Sequence, residues 1–122
     1  MQPICLAIDT TFDDTSVAIL KGHNEVLANL TLSQFKDHEA FGGVVPERAS
    51  RKHLEVIHPL ISESLKQSEL TFQEIDYFAV SHYPGLLGSL LVGVTVAKSL
   101  AYSLDKPIIG INHVESHPYA CF

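Results

Sequence analysis

From Tyr77 to Ala97 the chain carries no Lys, Arg, Asp or Glu, and Pro84-Gly85 divides that apolar stretch in two. Neither part is long enough to span a bilayer as a helix. The division predicts a strand, Tyr77 to His82, that feeds a Pro-Gly turn, then a long helix from about Leu86 to Leu104. Lys106-Pro107 ends the helix, and Ile108 to Ile111 is another apolar run of strand length. Strand, helix and strand in this order require a right-handed parallel crossover, which places the chain in the α/β class.

The first third has a different rhythm. Ile4 to Ile8 reads as a buried strand ending at Asp9, and Thr15 to Leu20 as a second. Lys21-Gly22-His23-Asn24 supplies turn chemistry, and Glu25 to Ser33 completes an antiparallel meander. Phe41-Gly42-Gly43 opens a loop before a helix from about Pro46 to Gln67. Its apolar stripe is Ala49, His53, Val56, Ile57, Leu60, Ile61 and Leu65, with Pro59 expected to kink it. Thr71-Phe72-Gln73-Glu74 has the form of a capping box.

At 122 residues the chain can bury one moderate core, so one domain is expected. The net charge of −6 argues against a free-standing nucleic-acid binder, whose affinity rests on a basic face. Arg48, Arg51 and Lys52 form a small basic cluster that reads as a solvated helix face. Cys5 and Cys121 lie in apolar segments at opposite ends and suggest no disulfide framework. No basic segment followed by an apolar one opens the chain, so a cytoplasmic protein without a membrane association is expected.

Two segments carry chemistry. In Asp9-Thr10-Thr11-Phe12-Asp13-Asp14-Thr15-Ser16, three carboxylates and four hydroxyls can organise a hydrated cation and hydrogen-bond phosphate oxygens. An ordinary Asp-rich turn fits the same residues. In His113-Val114-Glu115-Ser116-His117, two imidazoles four apart would share one side of a helix, a chelate suited to zinc or iron. Chance pairing among seven histidines is the competing explanation, and Glu115 would point away from a shared metal, which removes the base a peptidase needs. A third pattern, Gly85, Ser89, Gly93, Ala97 and Ala101, is a row of small residues that admits a second backbone or the chain's own sheet.

The meander, polar hairpin and crossover together suggest a ribonuclease-H-like lobe of the actin-like ATPase class, with a mixed sheet and flanking helices. The motifs then become specific. Residues 9–15 resemble the E-T-S-C-D-E-T opening of the tRNA threonylcarbamoyladenosine transferase family. Ser33-Gln34, His38, Phe41 to Glu47, Ala49-Ser50-Arg51 and His53 are similar to its S-Q…H…Y-G-G-V-V-P-E-x-A-S-R-x-H block. Pro84 to Leu90 resembles its G-P-G-L-x-G-x-L loop, and Asn112 to His117 its metal segment.

The resemblance implies transfer of a threonylcarbamoyl group from threonylcarbamoyl-adenylate to N6 of adenosine 37 in tRNAs that read codons starting with A. It implies one iron or zinc ion on His113 and His117, acting as a Lewis acid, with an aspartate from a later part of the protein as third ligand. Asp9, Thr11, Asp13, Asp14, Pro84 and Gly85 are the corresponding candidates for binding substrate and its phosphate; no catalytic residue is assigned. The implied partners are an inactive paralogue, a small ATPase and tRNA, with self-pairing through the two long helices as a further expectation. Phe12 replaces the family's Cys, Tyr83 the first Gly of its loop, and Asp9 and Asp14 shorten two of its acids; Pro118 follows the second histidine directly. The glycine-rich adenosine-binding segment and second lobe of the family find no counterpart in these residues. Residues 1–122 are therefore expected to form a first lobe that is inactive alone, against the alternatives of a non-catalytic interaction module or a sugar-kinase-like ATPase lobe.

Overall fold

In the computed structural model, which describes residues 2–10, 14–33, 46–83 and 87–112, the meander comprises β1 (Ile4–Asp9), β2 (Asp14–Lys21) and β3 (Glu25–Ser33). Gly22 adopts φ +66° in the turn between β2 and β3, the left-handed backbone that the Gly in this turn makes available. Its N–H donates to the Pro3 carbonyl at 2.8 Å, which ties this turn to the approach to β1.

Helix α1 (Pro46–Ser68) runs unbroken through Pro59, whose ring lies on the exposed side. After a short 3-10 turn (Phe72–Glu74), β4 (Tyr77–Tyr83) pairs parallel with β1, placing Leu6 beside Phe78 and Ile8 beside Val80. The capping box is present in part: the Thr71 N–H donates to Glu74 Oε1 at 3.1 Å, and the Thr71 hydroxyl turns to the same oxygen at 3.3 Å. Helix α2 (Leu87–Leu104) crosses to β5 (Ile108–Asn112), parallel to β4. The sheet order is β3-β2-β1-β4-β5, a mixed sheet of antiparallel meander and parallel crossover as expected. Among the described residues no helix is long and apolar enough to cross a membrane.

Both helices end in the same way. The Leu70 N–H reaches the Leu65 carbonyl (3.0 Å) and the Lys106 N–H the Ala101 carbonyl (2.9 Å), while Glu69 and Asp105 take φ of 59° and 55°. These are Schellman closures with an acid where glycine is commonest.

Period-two alternation gives the sheet two unlike faces. Leu6, Ile8, Val17, Ile19, Phe78 and Val80 form one core with Ile57, Ile61 and Leu65 of α1 and Val92, Ala97 and Ala101 of α2. The α1 stripe read from the sequence is thus the buried one from Ile57 onward; the Ala49 and His53 side chains lie outside the described residues. The opposite face carries Ala18, Ala7, Ala79 and Ile109 in register across β2, β1, β4 and β5.

The row of small residues on α2 has a definite use. Ser89, Gly93, Ala97 and Ala101 are buried against the chain's own sheet, so close approach of a second backbone along that row is not available. A Cβ on Gly93 would lie 2.5 Å from Thr10 Oγ1 and 3.4 Å from Ile8 Cγ2. Internal packing is what requires the glycine.

Candidate functional site

Strands β1, β4 and β5 are parallel neighbours, and they end at Asp9, Tyr83 and Asn112. The Asp-rich hairpin, the Pro84-Gly85 loop that the family resemblance marks and the His113–His117 pair each follow one of these ends in the chain. Crevices outside the carboxyl ends of parallel strands are where open α/β sheets bind ligands. β1 is also the strand where the sheet changes from antiparallel to parallel pairing.

At this edge, on the face away from the helices, the register builds a polar row. Thr31 stands opposite Ser16 and Ser16 opposite Asp9, and the Thr31 and Ser16 hydroxyls are 3.0 Å apart. From β4, the Ser81 hydroxyl donates to Asp9 Oδ2 at 3.0 Å. A charge-assisted bond of this kind orients the carboxylate. Asp9, Ser16 and Ser81, with Ala7, Ala18, Ala79 and Ile111, line a cavity of about 210 Å³. Asp14 opens β2 as an exposed residue on the same face by strand alternation. A wider hollow of about 950 Å³ lies beside Lys98, Tyr102, Asp105 and Lys106, at the C-terminal end of α2 and away from this edge.

Two hydroxyls counted in the hairpin are not free for a ligand. Thr10, just beyond β1, and Thr15 of β2 are fully buried, on the core side of the sheet. Thr10 Oγ1 donates to the Ser89 carbonyl at 2.6 Å and accepts from the Gly93 N–H at 3.0 Å. The structure thus brings Asp9 together with Ser16, one of the hydroxyls of the hairpin motif, and with Ser81, which the sequence did not single out. Ser81 is the one small polar residue in an otherwise apolar and aromatic strand, but placing it beside Asp9 requires the β1–β4 register.

Thr11, Asp13, Pro84, Gly85, His113 and His117 lie outside the described residues. Among the described residues, no three His, Cys, Asp or Glu side chains come together as a metal site.

A family model described as tRNA N6-adenosine threonylcarbamoyltransferase matches residues 25–122. The enzyme of that name from Clostridium perfringens is 52% identical over 121 residues, covering 99% of this chain and 36% of that protein. Its counterpart from Symbiobacterium thermophilum is 49% identical with the same coverage. Among solved structures, YeaZ from Pseudomonas aeruginosa aligns with a TM-score of 0.66 at 21% identity, over 90% of this chain and 43% of that one. RuvC of T. thermophilus in complex with a Holliday junction substrate aligns at 0.53 and 11% identity, over 92% of this chain and 66% of that one. These two likenesses concern the fold, and they agree with the ribonuclease-H-like, actin-like class. The chain spans about a third of the length of the curated relatives it matches. By the family model and by identities near one half along its whole length, this chain belongs to the tRNA N6-adenosine threonylcarbamoyltransferase family.

Proposed function

We propose that residues 1–122 form the first lobe of an enzyme that transfers a threonylcarbamoyl group from threonylcarbamoyl-adenylate to N6 of adenosine 37 in tRNAs reading codons that start with A. The observation that carries this reading is the common edge: three segments far apart in sequence each follow one of three adjacent parallel strand ends. Family membership supplies the chemistry that such an edge would serve.

In this reading Asp9, held by Ser81, and Asp14 orient the adenylate through its hydroxyls or a hydrated cation, together with Thr11 and Asp13 of the hairpin. Pro84 and Gly85 approach its phosphate. His113 and His117 hold one divalent metal, iron or zinc, which when bound would act as a Lewis acid toward the acyl group. The relatives' remaining length would contribute the opposing wall of the site. An inactive paralogue, a small ATPase and tRNA are the proposed partners, in the cytoplasm.

The test replaces each histidine in the full-length protein. His113→Ala or His117→Ala should abolish stoichiometric metal binding, because one lost ligand leaves a weak remainder. Metal content measured by plasma mass spectrometry would fall from near one per chain to a small fraction. Unchanged occupancy in both variants would remove these residues from the metal site.

A further inference from the structure

The hydroxyl of Thr10 bonds to two backbone groups that an ideal α-helix would pair with each other. The Ser89 carbonyl and the Gly93 N–H stand four residues apart on α2, the spacing of the helical ladder. Thr10 Oγ1 donates to the first and accepts from the second, at 2.6 and 3.0 Å. A side chain just beyond the end of β1 therefore bonds directly to the backbone of the opening turns of the helix. Glycine at position 93 admits it, since a Cβ there would meet Thr10 Oγ1 at 2.5 Å. Thr10 is fully buried, so water does not compete for either bond.

The next residue back is Asp9, whose side chain leaves the opposite face of β1 and receives the Ser81 hydroxyl. The last two described residues before the hairpin are thus fastened in opposite directions, one into α2 and one toward β4. We propose that Thr10 is a positioning residue, whose hydroxyl, bonded to two backbone groups of α2, fixes the adjacent Asp9 carboxylate for the ligand of the site. This rests on the reading of Asp9 as a ligand-facing group. The Ser89 carbonyl and the Gly93 N–H stand at the spacing of a helical pair, so without the hydroxyl each still has the other as a partner. The loss falls on the link between strand and helix.

The experiment compares Thr10→Ala and Thr10→Val, which remove the hydroxyl, with Thr10→Ser, which keeps it, in the full-length protein. Ser89→Ala is the control, because the Ser89 hydroxyl is buried with no hydrogen-bond partner and the link uses only its carbonyl. The readouts are the NMR signals of the Gly93 amide and the Asp9 carboxyl carbon, the thermal midpoint, and kcat and KM for transfer from threonylcarbamoyl-adenylate. In the Ala and Val variants both signals should move and kcat should fall about tenfold or more, as misplacement of a binding group does, while the midpoint stays within a few degrees. Thr10→Ser and Ser89→Ala should resemble the wild type. A Gly93 signal that moves while the Asp9 signal and kcat stay put would reduce Thr10 to a packing residue and overturn the proposal. So would a Thr10→Ser variant that behaves like Thr10→Ala, since the methyl rather than the hydroxyl would then matter. If the wild-type protein shows no transfer, the proposed function fails by itself. The proposal then stands if the Asp9 and Gly93 signals move together and falls if they do not.

Discussion

Cys5 shows how burial dominates a side chain's chemistry. Desolvation pushes its thiol from the ordinary 9.0 up to about 11, and a hydrogen bond with Tyr77 offsets part of that. Tyr77 is itself raised, first by burial and then by the neighbouring thiol. The thiolate is the reactive form, so native Cys5 should resist iodoacetamide at neutral pH and react readily in urea. Peptide mapping by mass spectrometry would check this, and rapid native labelling of Cys5 would contradict it. The pH dependence follows in sign. The folded state disfavours the charged thiolate, so the contribution is complete below about pH 9 and is lost as pH rises through about 11. Wild-type stability should therefore fall more steeply than that of Cys5→Ala across this window in urea titrations. The sequence placed Cys5 in an apolar strand, but its neighbour Tyr77 comes from a strand 72 residues later. Only the parallel register brings the two together.

Among the elements, α2 is the one whose pattern was legible and whose purpose was not. The four-residue recurrence of Ser89, Gly93, Ala97 and Ala101 announced close approach, but equally to a second chain or to the sheet. The deciding fact is a contact between Thr10 and Gly93, 83 residues apart, which no helical periodicity encodes. It leads to a double-mutant cycle. Gly93→Ala alone should cost roughly 1–3 kcal/mol as an overpacked site, despite the better helix propensity of alanine. Combined with Thr10→Ala, which removes both the Oγ1 and the Cγ2 facing that position, the same substitution should become neutral or mildly stabilising. Urea denaturation of the four proteins measures the coupling; additive effects would show that the Thr10–Gly93 contact is slack. Elsewhere the elements followed their local signals closely. The Gly22 turn, the 3-10 turn at Thr71 and the helix starting at Pro46 all fall where turn and capping chemistry placed them.

For the whole molecule, the meander and the crossover were readable because each rests on local rules of periodicity, turn composition and connection. The polar row was not, because Ser16, Asp9 and Ser81 meet through two separate strand pairings. At this scale we expect the 122-residue chain by itself to show no threonylcarbamoyl transfer, since it spans only about a third of its relatives' length. It should also bind tRNA weakly, because a net charge of −6 leaves little counterion release to drive association. Mass spectrometry of the modified adenosine, with metal, partners and threonylcarbamoyl-adenylate supplied, would test the first. Product at a rate near that of the full-length enzyme would mean that these residues hold a complete site. The sheet order also has a consequence for synthesis. β1 leaves the ribosome before the other strands of its sheet yet belongs in the middle of it, and its β4 partner is 72 residues behind. At about 5–20 residues per second, translation leaves that edge of β1 without its strand for roughly 4–15 s. The run Ile4 to Ile8 carries no charge, so the nascent chain then offers the kind of apolar edge that templates pairing between molecules. The strand at the centre of the finished sheet is thus the one most dependent on prompt elongation, or on a chaperone at the exit tunnel.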